Sequence, residues 1–228
     1  MTVTLITGAN KGIGYETARQ LIARGHDVYL GARHAGRGEK AAAELGARFV
    51  QLDVTDDASV ASALGTIAAA EGRLDVLVNN AGILADGVVD GPAALRAFDT
   101  NAVGIVRVTE AALPLLRESE DPRVVNVSSS LGSFAIVNDP ERPESGMSLM
   151  LYSASKAAAT MITVQYAKTH PTIRFNAVEP GATATDFTAA YGIGRPAAES
   201  ARFVARFATL GADGPTGTYQ DEDGSLPW

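Results

Sequence analysis

The sequence predicts an α/β fold: a parallel sheet with helices on both faces. Three observations predict it. Short apolar, β-branched runs alternate with longer Ala-rich stretches along the chain. The runs are apolar almost throughout rather than at every second position, the pattern of strands covered on both faces. Glycines close several of the longer stretches: Gly25 follows Arg24, Gly46 follows Leu45 and Gly72 follows Glu71, and another apolar run begins soon after each. Glycine past a last helical turn takes up positive φ cheaply.

Taken in order, strands are predicted over 3–7, 27–30, 48–52, 74–79, 123–128 and 172–179, and helices over 12–24, 35–45, 56–71, 92–118 and 151–169. The repeated β-α-β alternation implies right-handed crossovers and a doubly wound sheet. Residues 131–149 break this rhythm. They contain Gly132, Pro140, Pro143, Gly146, Asp139, Glu141 and Glu144, and read as a loop insertion. Loops of this length in compact domains often serve as lids or binding loops; a plain surface excursion fits the composition equally well. Residues 211–228 are turn-rich and are expected to pack against the sheet edge.

At 228 residues the chain suits one domain, 1–228, with its own core. It has no Cys, which excludes disulfides and thiolate metal sites and fits a reducing compartment. The formal net charge of -7 argues against nucleic-acid binding, which needs clustered Lys and Arg. No segment is apolar for long enough to span a bilayer. The first residues enter a strand without the features of a signal peptide, so a cytoplasmic protein is expected. His26, His34 and His170 do not stand at metal-ligand spacing, and no metal is expected.

The first strand runs into Thr7-Gly8-Ala9-Asn10-Lys11-Gly12-Ile13-Gly14, and a helix follows. Gly8 permits a tight turn, Gly12 removes a side chain where backbone must approach a pyrophosphate, and Gly14 lets the helix pack close to the sheet. The helix N-terminus then offers N–H groups and partial positive charge to the anion. This is a dinucleotide cradle of a Rossmann-type sheet, although its spacing differs from G-x-G-x-x-G. The second strand ends Leu30-Gly31-Ala32-Arg33, with His34 and Arg37 beyond. It lacks the carboxylate that would bind the ribose hydroxyls of NAD, and Arg33, with Lys11, can bond a 2′-phosphate. These residues favour NADP(H); as solvated surface charges they would say nothing of the cofactor.

Tyr152-Ser153-Ala154-Ser155-Lys156 opens another helix, and residues four apart share a face. A phenol of pKa about 10 exchanges protons poorly at neutral pH. A neighbouring ammonium, and the positive charge of an oxidised nicotinamide, are expected to favour the phenolate and lower that value. Alone, such a pair is common by chance.

Thr7 to Gly14, Asn79-Asn80-Ala81-Gly82, Asn101, Ser129 and Tyr152 with Lys156, in this order, resemble the short-chain dehydrogenase/reductase family, and most of all its carbonyl-reductase branch. The resemblance covers nearly the whole chain. It implies an NADP(H)-dependent oxidoreductase of a ketone or aldehyde, or of the corresponding alcohol. Ser129 would polarise the substrate carbonyl, with Ser128 and Ser130 as rivals. Tyr152 would donate the proton, and Lys156 would also hold the nicotinamide ribose. Asn101 would support a water relaying protons to Lys156, or serve a helix kink. Asp53, beside Val54, would accept from the adenine amino group, or simply end its strand in a turn. Asn80, Ala81 and Gly82 would pass under the adenosine ribose. In Pro180-Gly181-Ala182-Thr183-Ala184-Thr185, the Thr183 backbone and the Thr185 hydroxyl would hold the nicotinamide amide.

Tyr152 lies 23 positions after Ser129, longer than in most members of the family. Such an insertion interferes with the family's helix-mediated oligomer, so monomer and homo-oligomer both stay open. Residues 186–200 would be a mobile substrate lid. Glu144, Met147, Met150 and Phe187 could line the pocket or serve packing. A non-catalytic NADP-sensing protein with the same fold is the alternative, but it would not need Ser129, Tyr152 and Lys156 together.

Overall fold

The computed structural model describes residues 1–84, 87–186, 188, 192 and 194–228. In chain order the elements are β1 (Thr2–Thr7), α1 (Gly12–Ile22), β2 (His26–Ala32), α2 (Ala35–Leu45), β3 (Arg48–Gln51), α3 (Asp57–Glu71), β4 (Val76–Asn79), α4 (Gly91–Phe98), α5 (Gly104–Arg117), β5 (Arg123–Val127), α6 (Phe134–Asn138), α7 (Met150–Thr169), β6 (Arg174–Val178), β7 (Thr183–Ala184), β8 (Arg195–Pro196), α8 (Ala197–Ala208), β9 (Thr218–Asp221) and β10 (Gly224–Ser225). An eight-stranded sheet runs β10-β9-β6-β5-β4-β1-β2-β3. All its pairings are parallel except β9 with β10.

Strand residues alternate between two cores because successive side chains point to opposite faces. Leu5, Leu77, Val124 and Phe175 pack on one face with Val60, Ile67, Val108 and Leu116 of α3 and α5. Ile6, Val78, Val125 and Val178 pack on the other with Ala18 and Leu21 of α1, Ala41 of α2 and Phe203 and Phe207 of α8. Burial on both faces explains why the strands read as continuous apolar runs. Asp56 caps α3 by accepting from the Ala58 and Ser59 N–H groups, and Gly46 and Gly72 end α2 and α3 in the left-handed region.

Four sequence expectations change. The helix predicted over 92–118 is broken by a π-helical segment, Asp99–Val103, between α4 and α5. The 131–149 insertion is not a plain loop. It contains 3₁₀ turns at Ser130–Gly132 and Pro143–Gly146 and the short helix α6, which Ser133 caps by accepting from the Ile136 N–H. The lid range overlaps regular structure at its end, where Arg195–Pro196 pairs with β7 and 197–200 open α8; Phe187 and Tyr191 lie outside the described residues. Finally, the tail extends the sheet, with β9 pairing parallel to β6. No helix among the described residues is long and apolar enough to cross a membrane.

Candidate active site

The strand order reverses between β1 and β4, and in such sheets ligands bind at the carboxyl ends of the strands near the reversal. A cleft of about 1590 Å³ lies there, running from Gly8, Lys11 and Gly12 past Asn80 and Gly82 to Ser129, Tyr152 and Lys156.

The glycine turn is tied to the end of β4. Thr7 Oγ1 accepts from the Asn80 and Ala81 N–H groups, and Asn80 Nδ2 donates to the Thr7 and Gly8 carbonyls. Gly8 and Gly12 have φ of +64° and +59°. A Cβ on Gly14 would stand 2.5 Å from Asn80 Nδ2 and 2.9 Å from the Gly8 carbonyl, so only glycine lets α1 start so close to the turn. No side chain caps the N-terminus of α1, and its first turn carries no acid. Those N–H groups open on the cleft beside Gly12 and Ile13, an arrangement that suits a pyrophosphate. Arg33 is exposed on the cleft wall. Lys11 also lines it but is paired with Asp186 at 2.8 Å. Asp53 Oδ1 accepts from the Thr55 N–H and hydroxyl, as a turn residue does, while the residue also lines the cleft beside Val54.

At the other end, the three consecutive serines have different neighbours. Ser128 Oγ is 2.7 Å from Thr160 Oγ1, inside the protein. Ser130 acts on the Glu144 carboxyl and holds its pKa down. Ser129 lines the cleft with Tyr152, and its side chain favours the Tyr152 phenolate. One turn on along α7, Lys156 Nζ sits 5.7 Å from the centre of the Tyr152 ring and donates to the Val127 carbonyl at 2.7 Å.

Asn101 lies in the π segment. Its Oδ1 accepts from the Ile83 N–H at 2.8 Å, and its Nδ2 donates to the Ile83 carbonyl and Ser155 Oγ. The side chain thus fastens the strand after Gly82 to α7. A Cβ on Gly82 would lie 3.3 Å from Asn101 Oδ1 and 3.8 Å from Lys156 Nζ, which shows how closely these three meet. Pro180, Gly181, Thr183 and Thr185 line the cleft after β6; the Thr183 hydroxyl is taken up with the Gly181 carbonyl and Ser200. Glu144 and Met147 line the cleft, whereas Met150 is exposed outside it.

The electrostatics reverse one expectation. Burial pushes the Tyr152 phenol above its ordinary pKa, the Glu179 carboxylate pushes the same way, and the Ser129 side chain opposes both. In the protein alone desolvation is the largest influence on the phenol. Burial lowers Lys156 to about 8, with Glu179 acting against it. Glu179 was not singled out from the sequence. It lines the cleft, and burial raises its carboxyl to about 7. An acidic residue directly before Pro180-Gly181 is its only sequence signal.

An oxidoreductase of the doubly wound, dinucleotide-binding class is what this fold and cleft define. The short chain dehydrogenase model matches residues 2–195, and the chain belongs to the short-chain dehydrogenase/reductase family. It is 34% identical over 261 residues to "Short-chain dehydrogenase/reductase ATR10" of Stachybotrys chlorohalonatus, covering 99% of this chain and 94% of that protein. It is 32% identical to salutaridine reductase of Papaver bracteatum, covering 97% and 94%. NADPH-bound carbonyl reductase from chicken fatty liver shares the fold, with a TM-score of 0.86 over 100% of both chains at 24% identity. The chain is thus an oxidoreductase of carbonyl or alcohol substrates.

Proposed function

We propose that the protein reduces a ketone or aldehyde to an alcohol with NADPH, with Ser129, Tyr152 and Lys156 as the catalytic groups. The observation that carries this reading is the meeting of Ser129, Tyr152 and Lys156 at one end of a cleft that begins at a glycine cradle, with Lys156 Nζ 5.7 Å from the centre of the Tyr152 ring. A bound NADPH supplies the hydride. The cleft residues fit such a cofactor: a Cβ on Gly12 would lie 3.3 Å from Thr185 Cγ2 and narrow the channel between glycine turn and β6 loop. Arg33, with no carboxylate beside it at the end of β2, supports the 2′-phosphate form.

Ser129 and Tyr152 together present two hydroxyls to a carbonyl oxygen. Because burial raises its pKa, Tyr152 stays a phenol at neutral pH, the form that donates. As negative charge develops on the substrate oxygen, Tyr152 Oη gives up its proton to it and Ser129 Oγ donates a hydrogen bond. The nearby Lys156 ammonium stabilises the phenolate left behind. Asn101 positions the strand beneath Gly82.

The test is NADPH consumption across a panel of ketones and aldehydes. On an accepted substrate, Tyr152→Phe lowers kcat by about 10²-fold or more, with NADPH binding retained. Turnover unchanged in that variant sinks the mechanism.

A further inference from the structure

We propose that Glu179 is a positioning residue for the proton chemistry: its carboxylate keeps the Lys156 ammonium charged inside the cleft. This rests on the reading of Lys156 given above.

The placement follows from the sheet. Lys156 Nζ donates to the carbonyl of Val127, the last residue of β5. Val127 is the register partner of Val178, the last residue of β6, and Glu179 comes next. Neighbouring strands lie about 4.8 Å apart. The Lys156 ammonium is thus anchored at the end of β5, Glu179 follows the end of the adjacent β6, and both residues line one cleft. Glu179 is fixed at two points. Its N–H donates to the Gln220 carbonyl at 2.8 Å, and its Oε1 accepts from the Gly181 N–H at 3.1 Å. The other carboxylate oxygen takes no hydrogen bond among the described residues.

The nearby arginines are paired elsewhere, and Lys156, though beyond ion-pair distance, is the cation that attracts the Glu179 charge. Arg142, on the segment before α7, is paired with Glu144 at 3.1 Å. Arg195 of β8 is paired with Glu222 at 2.6 Å and donates to the Pro180 carbonyl. Asp221 and Tyr219 of β9, and Tyr152 and Lys156 of α7, are within electrostatic reach of Glu179. Asp221 and Glu144 repel the Glu179 charge and Lys156 attracts it. The sign is then fixed. An anion at Glu179 favours protonated Lys156, so its removal makes Lys156 lose its proton at lower pH.

The experiment reads Lys156 directly. The chain has four lysines, Lys11, Lys40, Lys156 and Lys168, so lysine side-chain NMR with isotope-labelled ε-carbons resolves them, and Lys156→Arg assigns the resonance. In the wild type the expected Lys156 midpoint is the one burial sets, pushed down to about 8. In Glu179→Gln, whose amide oxygen can still accept from Gly181, the midpoint falls by roughly one pH unit or more. Glu179→Asp, which keeps the charge, recovers part of the shift. With a neutral ketone, the high-pH limb of kcat moves down with the midpoint while KM is unchanged.

An unmoved Lys156 midpoint in Glu179→Gln overturns the proposal. So does a loss confined to substrates that carry a cationic group, since that assigns Glu179 to substrate recognition. If the wild type consumes NADPH with no carbonyl compound, the proposed function fails separately, because the lysine titration is read on the protein alone.

Discussion

Three serines stand in a row after β5, and the fold gives each a different task. Ser128 bonds Thr160, Ser130 acts on Glu144, and Ser129 meets Tyr152. The family resemblance singles out Ser129, but residue types alone do not separate it from its rivals, because each task depends on which way the serine points as the chain leaves the strand into the Ser130–Gly132 turn. Tyr152 carries the same lesson in its electrostatics. A lysine four residues on is visible in the sequence; the depth of the pocket is not, and burial decides the direction of the shift. Arg33 is a better-posed case, since its role depends on charge and position at a strand end. Charge-assisted hydrogen bonds contribute about 1.5–3 kcal/mol. Arg33→Ala is therefore expected to raise the KM for NADPH about tenfold or more and to leave that for NADH nearly unchanged, as steady-state kinetics with both cofactors will show.

At the scale of elements, long periodic or continuous apolar segments were legible and short ones were not. The six central strands and the helices α1, α2, α3 and α7 announce themselves by pattern. The π segment does not; Asn101 within it bonds Ile83, 18 positions away, a contact that no local pattern announces. The five residues of α6 are too few to show a helical period. The helix α8 was obscured because its first turn continues a glycine- and proline-containing stretch, although Phe203, Val204, Phe207 and Ala208 are all buried. One glycine joins two of these elements. A Cβ on Gly132 would stand 2.8 Å from the Lys156 carbonyl carbon and 2.9 Å from the Ala157 nitrogen, both backbone atoms of α7. Gly132→Ala must push the serine turn away from that helix. It is expected to cost about 1–3 kcal/mol in denaturant unfolding and to lower kcat. Gly65→Ala, within α3 with no atom within 4 Å of its Cβ, serves as the control and should be neutral or stabilising by up to about 1 kcal/mol.

Across the whole molecule, two apolar cores clamp a sheet whose carboxyl ends carry the cleft, and the tail completes that sheet beside the reacting groups. Tyr219 of β9 is buried and donates to the Ser129 carbonyl at 2.5 Å, with Trp228 packed over its ring at 5.8 Å. The chain beyond β10 is itself held, since Ser133 Oγ donates to the Pro227 carbonyl and the Ala135 N–H to that of Trp228. The tail thus holds the start of the insertion at Ser133 and Ala135. Tyr219→Phe removes one hydroxyl from this contact. Its expected effects are a loss of about 1 kcal/mol in thermal or denaturant unfolding and a several-fold lower kcat, with NADPH affinity unchanged. An unchanged kcat would show that Ser129 is held well enough without it.

The hydrogen bond from Tyr219 to Ser129 spans 90 positions of sequence. The backbone that carries Ser129 is therefore held by a strand from the far end of the chain, added to the sheet beyond β6. Loss of the last strands would release the serine turn while leaving the glycine turn and its ties to the end of β4 in place.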